Sequence, residues 1–108
     1  MKRKVVALES INYSFVPNHR DTMEALARSR LSGREFRCVI FILNQTDGYL
    51  RPQDTIRPAF FEARAAIHKA HLGNVLSRLK AWNIVSKTNT TYKVNPPSQW
   101  SPDALFTG

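Results

Sequence analysis

From Leu31 onward the apolar residues recur three and four positions apart, the spacing of helices that bury one face. The clearest start is Leu31-Ser32-Gly33-Arg34-Glu35. Ser32 and Glu35, three residues apart, form a capping box in which each side chain satisfies a backbone N–H left free at the other's position. Phe36, Val39, Ile40 and Leu43 then follow on one face. The helix is expected to end at Gln45 to Thr46, before the turn residues Asp47-Gly48. Upstream, Met23, Leu26 and Ala27 predict a helix running from Asp21 to near Arg30.

Tyr49-Leu50-Arg51-Pro52 reads as extended, because Pro52 cannot sit inside a helix. Arg57-Pro58 opens a short helix through Phe60, Phe61 and Arg64, with proline at a first-turn position where its missing N–H costs nothing. After Ala65-Ala66-Ile67, His68 begins a longer helix through Trp82. Its Leu72, Val75, Leu76 and Leu79 fall at i, i+3, i+4 and i+7. Asn83 suits a left-handed cap. Ile84-Val85-Ser86-Lys87 and Thr91-Tyr92-Lys93-Val94 are β-prone runs around Thr88-Asn89-Thr90, a hairpin signal that ends at Pro96-Pro97. The expected organisation is an N-terminal arm or strand over 1–16 (Val5-Val6-Ala7-Leu8, then the Pro17-Asn18 turn), a folded domain over 17–100, and a flexible tail over 101–108.

Residues 56–94 therefore read as strand or turn, short helix, tight turn, longer helix, hairpin. That order is the winged helix-turn-helix, mostly α with a small β wing, in which the second helix enters the DNA major groove. The longer helix turns Lys69, His71, Asn74 and Arg78 outward. Asparagine and arginine offer bidentate hydrogen bonds to adenine and guanine edges, and lysine serves a guanine or a phosphate. His68 reads as an N-cap or a phosphate contact. Backbone contacts are expected from Arg57 and Arg64 beside the short helix, and from Lys87, Asn89, Thr90 and Thr91 in the wing. Gly73 lowers helix propensity and needs a reason: close approach to DNA and close helix packing are both open. Trp82 and Trp100 read as packing residues at the helix and wing edges.

Charge strengthens this picture. The chain has 108 residues, one domain by length, with sixteen Lys and Arg against eight Asp and Glu, a formal net charge of +8. Residues 57–108 carry seven basic side chains against only Glu62 and Asp103, so a polyanion-binding face draws on the second half. Lys2, Arg3 and Lys4 form a basic tip, read as a minor-groove arm or a solubilising end.

The same inventory excludes several classes. Cys38 is the single cysteine, inside an apolar run, so an internal disulfide and a cysteine zinc site are ruled out. His68 and His71 lie three apart without a third ligand, and no metal or cofactor is expected. Residues 57–93 hold one acidic side chain and so no carboxylate cluster, and no glycine-rich phosphate loop is present, so the chain is not expected to be an enzyme. No apolar stretch is long enough for a membrane span, and the run after Lys4 stops at Glu9, too short for a secretory signal.

Phe15-Val16-Pro17-Asn18, Leu31-Ser32-Gly33-Arg34-Glu35, Asn44-Gln45-Thr46-Asp47-Gly48-Tyr49 and Tyr92-Lys93-Val94-Asn95-Pro96-Pro97 stand in one ordered series, and through it the chain resembles the phage replication protein O family, the lambda-type origin-binding initiators. Phe15-Val16-Pro17-Asn18, followed by Ala25-Leu26-Ala27-Arg28-Ser29-Arg30-Leu31-Ser32-Gly33-Arg34-Glu35, is similar to that family's aromatic-x-x-Ile-Pro-Asn, helix, Leu-Thr-Gly-Arg-Glu opening. The similarity continues through Asn44-Gln45-Thr46-Asp47-Gly48-Tyr49 and Asp54-Thr55-Ile56, and ends in Tyr92-Lys93-Val94-Asn95-Pro96-Pro97-Ser98-Gln99-Trp100, covering roughly residues 13–100. Where the family has Gly-Leu-Ser in the helix-turn-helix turn, this chain has Ala66-Ile67-His68. Where the family has Gly at the helix end, it has Asn83. Lys69, His71 and Asn74 are this chain's own, so the DNA sequence read is expected to differ.

The resemblance implies sequence-specific binding of double-stranded DNA at repeats in a replication origin, as a dimer or in several copies, in the cytoplasm of a bacterial host. It also implies a replication helicase or loader as a partner, reached through a region not found in this chain, which is then a DNA-binding fragment or a stripped-down relative. Two alternatives share the fold: a transcriptional repressor, and an adaptor whose winged helix grips a protein.

Overall fold

The computed structural model of the chain describes residues 20–46, 51 and 53–106. The expected arm over 1–16 lies outside them, as do the Pro17-Asn18 and Asp47-Gly48 turns and Pro52. Helix α1 is described over 20–27, and α2 spans Gly33–Thr46. Strand β1 (Asp54–Thr55), helices α3 (Pro58–Ala65) and α4 (Lys69–Ala81), and strands β2 (Val85–Thr88) and β3 (Thr91–Val94) follow. Two one-turn 3-10 helices, Pro97–Gln99 and Pro102–Ala104, come last.

Local chemistry sets most of these bounds. The capping box forms: the Ser32 N–H donates to Glu35 Oε1 at 2.9 Å, and the Glu35 N–H to Ser32 Oγ at 3.2 Å. At the other end of α2, the Thr46 hydroxyl donates back to the Ile42 carbonyl at 2.9 Å. Pro58 takes the first position of α3 after an extended Arg57. His68 caps α4, its Nδ1 accepting from the Ala70 N–H at 3.0 Å. Asn83 adopts φ 59° as the chain leaves α4, the left-handed conformation that asparagine tolerates better than most residues.

The three strands form one antiparallel sheet in the order β1-β3-β2, with Val85 opposite Val94, Lys87 opposite Tyr92 and Asp54 opposite Tyr92 from the other side. Alternation along β3 buries Tyr92 and leaves Lys93 exposed. Phe61 of α3 ties the layers together. Its ring stands edge-on to Phe41 of α2 at 5.1 Å and to Tyr92 of β3 at 5.2 Å. Around this chain of rings Val39, Ile42, Ile67, Leu79 and Ile84 are fully enclosed. Removing such a ring from water stabilises the fold by about 1.5–3 kcal/mol. Mostly helical with a small antiparallel sheet, the architecture is the winged-helix type that the sequence predicts.

Three expectations need correction. In α1 the buried positions are Thr22, Ala25 and Leu26, whereas Met23 and Ala27 are exposed. In α2 the buried face is wider than Phe36, Val39, Ile40 and Leu43: Cys38, Phe41 and Ile42 are enclosed, because α3, α4 and β3 all pack on this helix. Phe36 and Ile40 are only half-buried, because they line an open groove beside Ala65 and Ala66. Finally, the tail is not loose over 101–106. The Ser101 N–H donates to the Trp82 carbonyl (2.8 Å), Arg30 N–H to Ala104 (2.8 Å) and Phe106 N–H to Arg28 (2.9 Å), and Ala104 is fully buried. The partners of this strap lie from 19 to 78 residues away, where no local pattern reveals them.

Candidate nucleic-acid interface

The turn between α3 and α4 places the second helix. Ala66 closes α3 in the left-handed region at φ 56°, a conformation that strains a residue with a Cβ. Arg37 of α2 braces it, donating from Nε to the Ala65 carbonyl at 3.0 Å and from its terminal nitrogen to the Ala66 carbonyl at 3.2 Å. Two carbonyls left without helical partners are thereby satisfied.

Helix α4 buries Leu72, Val75, Leu76 and Leu79, the four positions read from the sequence. At about 100° per residue, Asn74 lies away from that face, Lys69 and Lys80 lie on one flank, and His71 and Arg78 on the other. All five are exposed. Neither Lys69 nor Asn74 makes a hydrogen bond or ion pair with its side chain among the described residues. The His68 ring is held by its capping bond and lies 6.3 Å from that of His71.

Arg78 differs. Its Nε lies 3.5 Å from Glu35 Oε2, and its guanidinium sits 4.3 Å above the Trp82 ring. The sequence gives it a free outward side chain; the fold holds it between the start of α2 and the end of α4, with half of it still exposed. Glu35 and Trp82 are thus positioning residues that pattern reading missed, since their tie to Arg78 crosses between elements.

The two-residue turn Asn89-Thr90 joins β2 to β3, with Asn89 at φ 55°. The Thr90 carbonyl accepts from the Ile56 N–H at 2.8 Å, and the Thr91 hydroxyl meets that of Thr55 at 3.0 Å, so β1 braces the wing. Lys87 lies on the inward face, its Nζ 5.8 Å from the centre of the Tyr92 ring. Ser86, Thr88, Thr91 and Lys93 instead line a polar furrow with Gln53. Lys93 is the outer-face lysine, and the strand alternation Thr91, Lys93 against Tyr92, Val94 was the signal for it. At the other helix-turn-helix position, Arg57 is exposed at the start of α3, while Arg64 lines the groove against α2.

Behind the wing sits a buried polar knot. Asn95 donates from Nδ2 to the Asn83 carbonyl at 2.9 Å and accepts from the Ser86 hydroxyl at 2.9 Å, while Trp100 Nε1 donates to the Asn95 carbonyl at 2.7 Å. It fixes the base of the wing to the end of α4.

Among the described residues no group of three His, Cys, Asp or Glu could hold a metal ion, and no helix is long and apolar enough to cross a membrane. The Cys38 thiol is fully enclosed, and burial, with Glu35 nearby, pushes its pKa up to about 12. A family model described as Bacteriophage replication protein O matches residues 8–100. No curated protein and no solved structure matches the chain.

Proposed function

The chain belongs to the bacteriophage replication protein O family, and from that premise we propose that it binds double-stranded DNA sequence-specifically at repeats in a replication origin. The family gives the process, phage replication. The proposal adds the ligand and the surface. Helix α4 enters the major groove and reads base edges with Asn74, assisted by Lys69 and His71. Arg57, Arg78 and the wing residues Asn89, Thr90, Thr91 and Lys93 contact the phosphates alongside. Such phosphate contacts supply salt-dependent affinity, while base contacts supply specificity. The domain acts as a dimer or in several copies on adjacent repeats, in the cytoplasm of the bacterial host, with the replication helicase or its loader as a further partner.

The observation that carries this reading is the division of α4. One face is locked into the core by four apolar residues, and outside it Lys69 and Asn74 are exposed with no side-chain hydrogen bond or ion pair among the described residues. Fluorescence anisotropy with the duplex that the chain enriches from a random library tests it. Asn74→Ala is expected to lose about 1–3 kcal/mol on that duplex and little on a shuffled one. Lys69→Ala is expected to weaken both more evenly and to flatten the salt dependence. Equal binding of both duplexes by the wild-type chain would falsify base reading. A footprint on tandem repeats of an origin tests the biological site.

A further inference from the structure

Gly73 is the one residue on the exposed face of α4 whose identity the fold itself does not explain. Glycine is the poorest interior helix residue after proline, because ordering its backbone costs the most conformational freedom. Two structural reasons ordinarily keep one there. Either the backbone needs a positive φ, or another element comes so close that a Cβ would collide. Neither applies. No described glycine has positive φ, and a Cβ built on Gly73 meets no atom of the described residues within 4 Å. At Gly33, by contrast, a Cβ comes within 3.5 Å of the Arg37 guanidinium. Close packing against the described residues, one of the two explanations open from the sequence, is therefore removed.

What remains is contact from outside. Gly73 precedes Asn74 and lies one turn after Lys69, two side chains of α4 that make no hydrogen bond or ion pair among the described residues. Its surface neighbours at three and four residues are Lys69, Ala70, Leu76 and Ser77, and of these only Leu76 is buried. The backbone is thus bare where the helix would face a groove.

We propose that Gly73 is the point of closest approach between α4 and the DNA, its missing Cβ letting the helix seat deep enough for Asn74 to reach a base edge. This rests on the DNA-binding reading of α4. A methyl group at position 73 stands out from the helix by roughly one C–C bond, about 1.5 Å. Base-edge hydrogen bonds work over about 2.7–3.2 Å, so a displacement of that size takes them out of range. Gly73 is accordingly a specificity-determining residue that makes no polar contact of its own.

The test sets stability against binding. The probe is the duplex that the full wild-type chain enriches from a random-sequence library, with a shuffled duplex beside it. For Gly73→Ala the melting temperature is expected to rise by a few degrees, while affinity for the enriched duplex falls about tenfold and affinity for the shuffled one barely changes. Gly73→Leu is expected to lose more affinity, and Gly33→Ala none. If Gly73→Ala binds the enriched duplex as tightly as the wild type while Asn74→Ala binds it weakly, the DNA reading stands and the close approach is wrong. If the wild-type chain enriches no duplex, both fall. A lower melting temperature for Gly73→Ala also overturns the proposal, because the glycine then serves the fold.

Discussion

Arg78 and Glu35 stand 3.5 Å apart, Nε to carboxylate oxygen, and join the recognition-helix candidate α4 to the first turn of α2. The other oxygen of the same carboxylate accepts from the Ser32 N–H. One side chain therefore caps a helix and orients an arginine. With Arg78 half exposed, the pair contributes at most about 1 kcal/mol to stability. Its larger effect is directional: with Nε facing Glu35 and the plane resting on Trp82, the terminal nitrogens are what Arg78 has left for a ligand. Arg78→Ala is accordingly expected to weaken binding to enriched and shuffled duplexes alike, unlike Asn74→Ala. Glu35→Gln, which keeps the capping box, should melt within about 1 kcal/mol of wild type, whereas Glu35→Ala should lose about 1–2 kcal/mol. Anisotropy on both duplexes and thermal melts of the three variants check this; base-selective loss in Arg78→Ala would return it to a reading role.

The Asn95 knot yields a stability prediction. Its amide is almost wholly buried and serves the Asn83 carbonyl and the Ser86 hydroxyl at once. Asn95→Ala leaves both groups unsatisfied, at an expected cost of about 2 kcal/mol or more. Asn95→Asp should cost more still, since it replaces the donor with a buried carboxylate. Urea unfolding measures both. A loss below about 0.5 kcal/mol for the alanine variant would mean that water enters and substitutes for the amide.

Much of this fold is legible in the sequence because its signals are local. Ser32 and Glu35, Pro58, and the Leu72-Val75-Leu76-Leu79 series each specify an element within one or two turns of chain. What escaped depends on distant partners. β1 is two residues long, too short to show alternation, and exists as a strand because β3 pairs with it. The strap over 101–106 is held by Arg28, Arg30 and Trp82. The candidate binding surface divides the same way. The exposure of Lys69 and Asn74 follows from helical period, whereas the engagement of Arg78, the inward placement of Lys87 and the turn of Arg64 toward the α2 groove follow from packing between elements.

Burial of Cys38 gives a pH prediction. The thiol titrates near 9 when unfolded and near 12 when folded, so the folded state holds its proton longer. A raised folded pKa adds stability that is complete below about pH 9 and is lost as pH rises toward 12. Tyr92, also raised by burial, acts in the same direction. The unfolding midpoint is therefore expected to fall over that window, and Cys38→Ala should flatten part of the decline even though its cavity lowers stability at neutral pH. Thiol reagents at pH 8 should modify Cys38 only as fast as the chain unfolds; immediate reaction would place the thiol at the surface.

The turn between α3 and α4 allows the last prediction. Ala66 holds φ 56°, where a Cβ costs roughly 1–2 kcal/mol and glycine costs none. Ala66→Gly removes that strain but also loosens the unfolded chain by about 0.4–1 kcal/mol, so the net gain should be about 1 kcal/mol or less. Arg37 is the counterpart, because its bonds to the Ala65 and Ala66 carbonyls hold the strained residue in place. Arg37→Ala should destabilise by about 1–2 kcal/mol, and by less in an Ala66→Gly background, where the turn forms without restraint. Thermal melts of the two single variants and the double variant read that coupling directly. Additive effects would show that Arg37 acts elsewhere. A non-additive result would establish that the turn setting α4 against α3 is held from α2 as well, since the residue joining the two helices then depends on an arginine from a third.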